Sequence, residues 1–370
     1  MNRYKKILLV SNGFFPEISP RSYRATELAK EFFRQGHEVT VISKYRDYNY
    51  SDFLKEYPIT FKMWGKFKLP TVPDFRKKYL SVFVRGLSRF LSLLFEYPAI
   101  EDMFKVKKML RDESGYDIII SFAVPYPVHW GVAWAMDRRK QNATKWVADC
   151  GDPYMGDVLD TFRKPFYFAY LEKWFCRRAD FISIPIEKAK PGYYSEFHHK
   201  IRIIPQGFDF DLKKEEVSGN KNPVPTFAYA GTFLQGARNP EPLMHFLADF
   251  DFQFKFLVFT NKPDILEKYK FLLHEKLIVS DYIPRQELME VLKKMDFLIN
   301  FDNNTELNSP SKLIDYAIAQ RPVLNITKDF NGEDLKAFLR GDYSNQMLLP
   351  DINQYHIRNI SHLFLDLLES

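Results

Sequence analysis

Cysteine is nearly missing from this chain of 370 residues. Cys150 and Cys176 are its only two, and their spacing suits neither a disulfide framework nor a zinc site. Neither crosslink nor zinc is expected, and both thiols should be reduced. No apolar run is long enough to span a bilayer, and the opening MNRYKKILLV enters a strand directly, without a cleavage pattern. A cytoplasmic location is therefore expected, with membrane contact only if something docks the protein there. No G-x-G-x-x-G follows the first strand, and neither a G-x-S-x-G elbow nor a Walker lysine loop occurs. Nicotinamide and flavin Rossmann enzymes, α/β-hydrolases and P-loop enzymes are thereby disfavoured. A sequence repeat of fixed period is also lacking.

What is present has globular proportions, with 46% hydrophobic and 27% charged residues. The length is too great for one core of usual size and predicts two domains. Against 47 acids the 53 bases leave a net charge of +6, which does not imply a nucleic-acid partner. The bases are unevenly placed. Lys62, Lys66, Lys68, Arg76, Lys77, Lys78, Arg85 and Arg89 face a single acid, Asp74, in a stretch rich in aromatic residues.

The apolar pattern predicts an α/β protein. A strand at 6–10, a helix at 22–35 closed by Gly36 and a strand at 38–42 form a βαβ unit. Residues 45–74 read as irregular, interrupted by Pro58, Pro70 and Pro73. In 79–95 a helical projection gathers Ser81, Arg85, Ser88, Arg89 and Ser92 into one stripe and leaves the rest apolar. Such a helix is either buried in its domain or laid on a lipid surface beside attracting bases. Burial is the expectation, because apolar arcs usually face cores.

Strands at 117–122, 145–149, 181–184 and 201–204, with a helix after 127, one around 166–178 and one beginning near Ile186, complete a first doubly wound domain. A charged, Gly/Pro-containing linker at 213–225 precedes a second domain. Its strands are expected at 226–229, 254–259, 277–279, 296–301 and 323–326. The boundaries expected are 1–207, 208–350 and a C-terminal helix in 351–370 that crosses back to the first domain.

The stretch NSPSKLIDYAIAQRPVL, 308–324, concentrates the chemistry. Ser309 reads as an N-cap, Pro310 as the first helical residue and Pro322 as the stop. Leu313, Ile314, Ala317 and Ile318 share one face; Ser311, Lys312, Asp315 and Ala319 share the other. The helix begins beyond the carboxyl end of a strand, where open α/β sheets place ligands. Its free N–H groups and dipole suit a phosphate, Lys312 adds a charge, and Asp315 one turn deeper suits a hydroxyl. An ordinary capped helix with a solvated Lys and Asp is the competing reading. The small-residue loop Gly231-Thr232 to Arg238 follows another strand at the same edge. A single anion shared by Arg238 and Lys312 is then the favoured arrangement.

Two other motifs are set aside. Asp209-Phe-Asp211 lacks further oxygen ligands and is better read as a turn. His198-His199 cannot face one metal from a helix.

Taken in order, several segments resemble glycosyltransferase family 4 and the GT-B fold. They are ILLVSNGFFPEISPRSYRATELAKEFFRQGHEVTVIS, ADFISIPIEKAK with KIRIIPQGFD, and FAYAGTF with NSPSKLIDYAIAQRPVL. The resemblance covers most of 6–326, with 44–114 unaccounted for, and its Pro-Ser-Lys signature points to one branch of the family. It implies two doubly wound Rossmann-like domains facing across a cleft, and a nucleotide-diphosphate sugar held by the second. Transfer with retention, no cofactor beyond that co-substrate and no required metal are also implied.

By position, Arg238 and Lys312 would hold the diphosphate, the backbone around Ser311–Leu313 would add N–H contacts and Asp315 would bind ribose. Asp152 would touch the transferred sugar or the acceptor. A glycan or lipid-linked acceptor, as in bacterial surface polysaccharide, is the implied partner, with peripheral membrane contact through 61–95. Departures from the family are Leu307 at the first of two usual acids, Asp315 where Glu is usual, Ser19-Pro20 where Gly-Gly is frequent, and Arg238 where Lys is usual. They keep open a catalytically silent GT-B-like binding partner. A nucleotide-sugar epimerase on the same fold is disfavoured by the lack of an acid/base constellation.

Overall fold

The computed structural model describes residues 4–69, 78–136, 144–157, 163–210, 222–233, 238–302 and 311–369. In chain order the first part contains β1 (Lys6–Ser11), α1 (Pro20–Arg34), β2 (Glu38–Lys44), α2 (Ser51–Glu56), β3 (Thr60–Trp64), α3 (Lys78–Phe95), α4 (Ile100–Leu110) and β4 (Ile118–Phe122). It continues with α5 (Pro127–Ala135), β5 (Lys145–Asp149), α6 (Phe168–Arg178), β6 (Phe181–Ile184) and β7 (Ile201–Ile203). The second part contains β8 (Thr226–Ala230), α7 (Glu241–Asp249), β9 (Lys255–Phe259), α8 (Glu267–Leu273), β10 (Leu277–Ser280), α9 (Arg285–Leu292), β11 (Phe297–Phe301), α10 (Ser311–Ala319), β12 (Val323–Ile326) and α11 (Glu333–Leu339). The last helix is α12 (Ile357–Leu365). Two compact units result, one of Met1–Asp209 with Gln354–Ser370 and one of Phe210–Asn353.

The first unit is a seven-stranded parallel sheet in the order β3-β2-β1-β4-β5-β6-β7. Alternation along β1 sends Leu8 and Val10 to one face and Ile7 and Leu9 to the other. The first face packs on Trp130 and Trp146. On the second lie Leu28 and Phe32 of α1 together with Ile357, Ile360 and Phe364 of α12. Burying each such side chain contributes roughly 1.5–3 kcal/mol. The start of α1 is capped locally: Ser19 is extended, its Oγ accepts from the Ser22 N–H at 3.2 Å, and Pro20 takes a first-turn position. α12 joins this unit through a bridge between Phe208 and His356, and Gln35 Nε2 donates to Ser361 Oγ at 2.6 Å.

Three expectations need correction here. Residues 45–64 are not irregular: α2 leads into β3, an edge strand paired in parallel with β2. Edge position tolerates the short, weakly alternating TFKMW, which is why no strand pattern stood out. The helix expected near Ile186 is replaced by two 3-10 turns, Glu187–Gly192 and Ser195–Lys200, the first with Pro191 inside it. The described side chains of α3, Gly86 to Phe95, include none that is buried, against the expectation of a core helix.

The second unit is a five-stranded parallel sheet, order β10-β9-β8-β11-β12. Its strand order reverses between β8 and β11, which pair through Phe227 with Phe297 and Leu298 with Ala228. In open α/β sheets such a reversal is where ligands are placed, beyond the carboxyl ends of the strands. Stacked rings of Phe227, Phe256 and Phe297 fill one side of this sheet.

Candidate anion site at the second sheet

The β8 and β11 loops are those that carry Gly231, Thr232 and Arg238, and that lead into α10. Ser309, Pro310 and Leu307 lie outside the described residues, as do 234–237 and Asp211. α10 is fixed over the switch point by a residue the apolar pattern did not single out. Tyr316, fully buried, donates its hydroxyl to the Ile299 carbonyl of β11 at 2.9 Å and accepts from the Ala230 N–H of β8 at 3.1 Å. Ala319, assigned to the polar face, is buried as well, because the helix sits between the sheet and the residues around Met289 and Leu292.

This seating drives Lys312 inward. Its Nζ is buried and has no hydrogen-bond partner among the described residues, while part of its stem stays accessible. The ammonium lies 4.5 Å from the Tyr229 ring centroid and 5.8 Å from that of Tyr316. Burial, reinforced by repulsion from Arg238, lowers its pKa to about 7. That repulsion places the two cations within each other's field. Arg238 also donates to the Thr232 carbonyl at 3.5 Å. Gly231 makes the crowding possible: a Cβ there would lie 2.9 Å from the Tyr229 hydroxyl and 3.6 Å from Lys312 Cδ. Among the described residues no group accepts a hydrogen bond from this buried ammonium, and a buried charge left without a partner is costly.

The remaining predicted residues are placed as follows. Thr232 Oγ1 is engaged by Asn261 Oδ1 at 2.9 Å and Tyr282 OH at 2.7 Å. Leu313 is half-buried at the start of α10, where the backbone of 311–313 forms the first turn. Asp315 Oδ1 accepts from Arg285 Nε at 2.9 Å and Nη2 at 2.6 Å. Burial raises the Asp315 pKa against the opposing pull of Arg285. Oδ1 of Asp315 is thereby occupied by the Arg285 guanidinium. Arg285, which opens α9 thirty positions upstream, had no motif to announce it. Asp152 belongs to the first unit, is exposed, and accepts the Tyr126 hydroxyl through its backbone carbonyl.

In the first unit Asp149 also ends a strand at the sheet edge, but it is saturated. Arg24 holds it with two bonds of 2.7 and 2.8 Å, Arg21 lies at 3.3 Å and Ser183 Oγ donates at 2.7 Å. Those guanidinium groups keep its carboxyl ionised below the ordinary carboxylate range, against the effect of burial. A carboxyl that the sequence reading missed, Asp102, is fully buried between Asn12 Nδ2 at 2.6 Å and Trp64 Nε1 at 3.0 Å, and burial pushes its pKa up to about 6. His129, buried beside Ser121 Oγ at 2.8 Å and Cys150 Sγ at 3.5 Å, is held neutral with a pKa near 3. Both cysteines are buried and unpaired with each other. Asp209 pairs with Arg34 at 2.9 Å, and His198 Nε2 donates to the Tyr193 carbonyl at 3.0 Å.

No protein-family model and no curated protein sequence matches the chain. Solved structures do. A glycosyltransferase from Rickettsia africae superposes with a TM-score of 0.58 at 13% identity, covering 100% of this chain and 98% of that one. The Anabaena protein HepE, solved in complex with UDP and glucose, gives 0.55 at 11% identity, covering 99% and 100%. A UDP-GlcNAc 2-epimerase from Methanocaldococcus jannaschii gives 0.55 at 12% identity, covering 98% and 99%. At these identities the likeness is one of fold. The chain has the two-unit Rossmann-like fold of GT-B proteins, and that fold carries both transferases and an epimerase.

Proposed function

We propose that the chain is a glycosyltransferase, moving a sugar from a nucleotide-diphosphate sugar to a glycan or lipid-linked acceptor with retention of configuration, as in surface polysaccharide assembly. The observation that carries this is Lys312: a buried ammonium without a hydrogen-bond partner among the described residues, beside Arg238, at the start of a nine-residue helix over the strand-order reversal. In this reading Lys312 and Arg238 neutralise the diphosphate, the backbone at Thr232 and Ser311–Leu313 adds N–H donors, and Asp315 takes a ribose hydroxyl. The same two cations stabilise the departing nucleotide, since fixed charge in a low-dielectric site favours the charge that develops on the leaving phosphate. The mechanism needs no metal, and Asp152 contacts the sugar or acceptor.

A thermal-shift panel of UDP, GDP, CDP and ADP, each with and without sugar, tests it. One nucleotide at about 100 times its Kd stabilises by about 2.7 kcal/mol, a shift of several degrees. Lys312→Ala removes that shift. If none of the four nucleotides moves the Tm, the donor-site reading is lost. A second reading, a silent binding partner of another transferase, is favoured by one observation, the capture of Asp315 by Arg285. Slow hydrolysis of the matching donor supports the transferase, and binding without turnover supports the partner. Isomerised donor as the product would identify an epimerase.

A further inference from the structure

Lys312 has a chemistry that holding an anion does not use. Lysines in water keep their proton far above neutral pH and are poor nucleophiles; one stripped of water beside a second cation is released from that restraint. Both conditions meet at the start of α10. Lys312 Nζ is buried and donates to no described group, and burial together with repulsion from Arg238 brings its pKa down to about 7. The rings of Tyr229 and Tyr316 wall it at 4.5 and 5.8 Å, and burial pushes both hydroxyls up, so they stay protonated. Asp315, one turn along the helix, is committed to Arg285. Near neutral pH a large share of the molecules therefore presents a neutral amine here.

The surroundings also select the reagent. Arg238 lies within the field of the amine, the first turn of α10 begins at Ser311, and part of the Lys312 stem is accessible. A small molecule with its electrophilic carbon bonded directly to a phosphate oxygen meets the guanidinium and the amine at once. We infer that Lys312 is a modification site for acyl phosphates, whose acyl group it takes up as an amide. The neutral amine attacks the acyl carbon and a C–N bond forms. The C–O bond to phosphate breaks, and phosphate departs with that electron pair and with the proton the nitrogen loses. Arg238 meets the departing oxygens, and no further reactant is needed. The amide carries no charge, so the step deletes one of the site's two cations and switches nucleotide binding off. That consequence rests on the donor reading; the reactivity of the amine does not.

The test is incubation of the full chain with acetyl phosphate near neutral pH, followed by peptide mass spectrometry of every lysine. Lys312 should be acetylated at least about tenfold faster than the exposed Lys108, and its rate should level off once the pH passes about 7 while that of Lys108 keeps rising. Arg238→Gln should slow Lys312 by about fivefold or more, since both the repulsion and the phosphate partner go, and an unchanged Tm verifies the fold of the variant. N-acetoxysuccinimide, which delivers the same acyl group without a phosphate, should favour Lys312 less. Equal preference with the two reagents would overturn the assignment to acyl phosphates, and Lys312 reacting no faster than Lys108 would overturn the site itself. The acetylated protein should lose its nucleotide shift. A shift that survives full acetylation, or acetylation that no nucleotide slows, would sink the donor reading and leave the modification site standing.

Discussion

Each of the two parallel sheets carries a buried charge at its carboxyl edge, and the two are treated oppositely. At the first sheet Asp149 is met by two arginines and a serine, and Arg24 also donates to the Ile204 and Pro205 carbonyls at 2.9 and 2.6 Å. At the second, Lys312 has aromatic walls and a neighbouring cation. A fully satisfied charge is a fastener: it ties α1, β5 and the exit of β7 together. An unsatisfied one costs stability and is retained where a ligand supplies the missing partner. Position at a sheet edge alone does not separate these roles; the inventory of partners does.

Breaking the first site should produce the largest effect. Arg24→Ala leaves the buried Asp149 carboxylate with Ser183 and the single longer bond to Arg21, and should destabilise the protein by about 3–5 kcal/mol in urea unfolding, with no nucleotide dependence. Tyr316→Phe removes the hydroxyl between Ala230 N–H and the Ile299 carbonyl. It should cost about 1–3 kcal/mol, and weaken nucleotide binding as α10 loosens over the strand-order reversal.

Lys312 should respond with the opposite sign. In the folded state its pKa is lowered to about 7 from 10.5, so the unfolded chain holds more protons between those values. Stability should therefore rise with pH from about 7 toward 10.5, and Lys312→Met should flatten that rise and add about 1 kcal/mol to the ligand-free protein at neutral pH. Binding runs the other way. A nucleotide sugar, whose diphosphate does not titrate between pH 6 and 8, should bind about tenfold more tightly at pH 6 than at pH 8 by calorimetry, because only the ammonium form pairs with it. No pH dependence would mean that Lys312 does not meet the diphosphate.

The smallest effect belongs to Arg285. Its pair with Asp315 is partly exposed, so Arg285→Ala should change stability by about 0–1 kcal/mol. By freeing both Asp315 oxygens it should tighten binding of a ribonucleotide relative to its 2′-deoxy form. Weaker binding with unchanged discrimination would show that Arg285 itself contacts the ligand.

Much of the α/β pattern can be read along the chain because its causes are local. Ile7–Val10, Ile118–Phe122 and Phe297–Phe301 are short buried runs with helices between them, which parallel pairing requires. The candidate anion helix was legible for the same reason, as a polar face beginning beyond a strand. β3 was not, since an edge strand need satisfy only one neighbour and leaves a weak pattern. Neither Tyr316 nor Arg285 could be picked out, because each acts through a partner from a different strand or helix.

The amino-acid order by itself determined most of the strands and helices, though not β3 or the turns after Ile186, and that a cationic helix start follows a strand, since periodicity, caps and breakers act over a few residues. Only the tertiary structure decided that Asp149 is neutralised by Arg24, 125 positions away, that Lys312 is stripped of water between Tyr229 and Tyr316, and that none of Gly86–Phe95 is buried. Desolvation and pairing depend on what distant segments bring to the same few ångströms, and no local pattern encodes that.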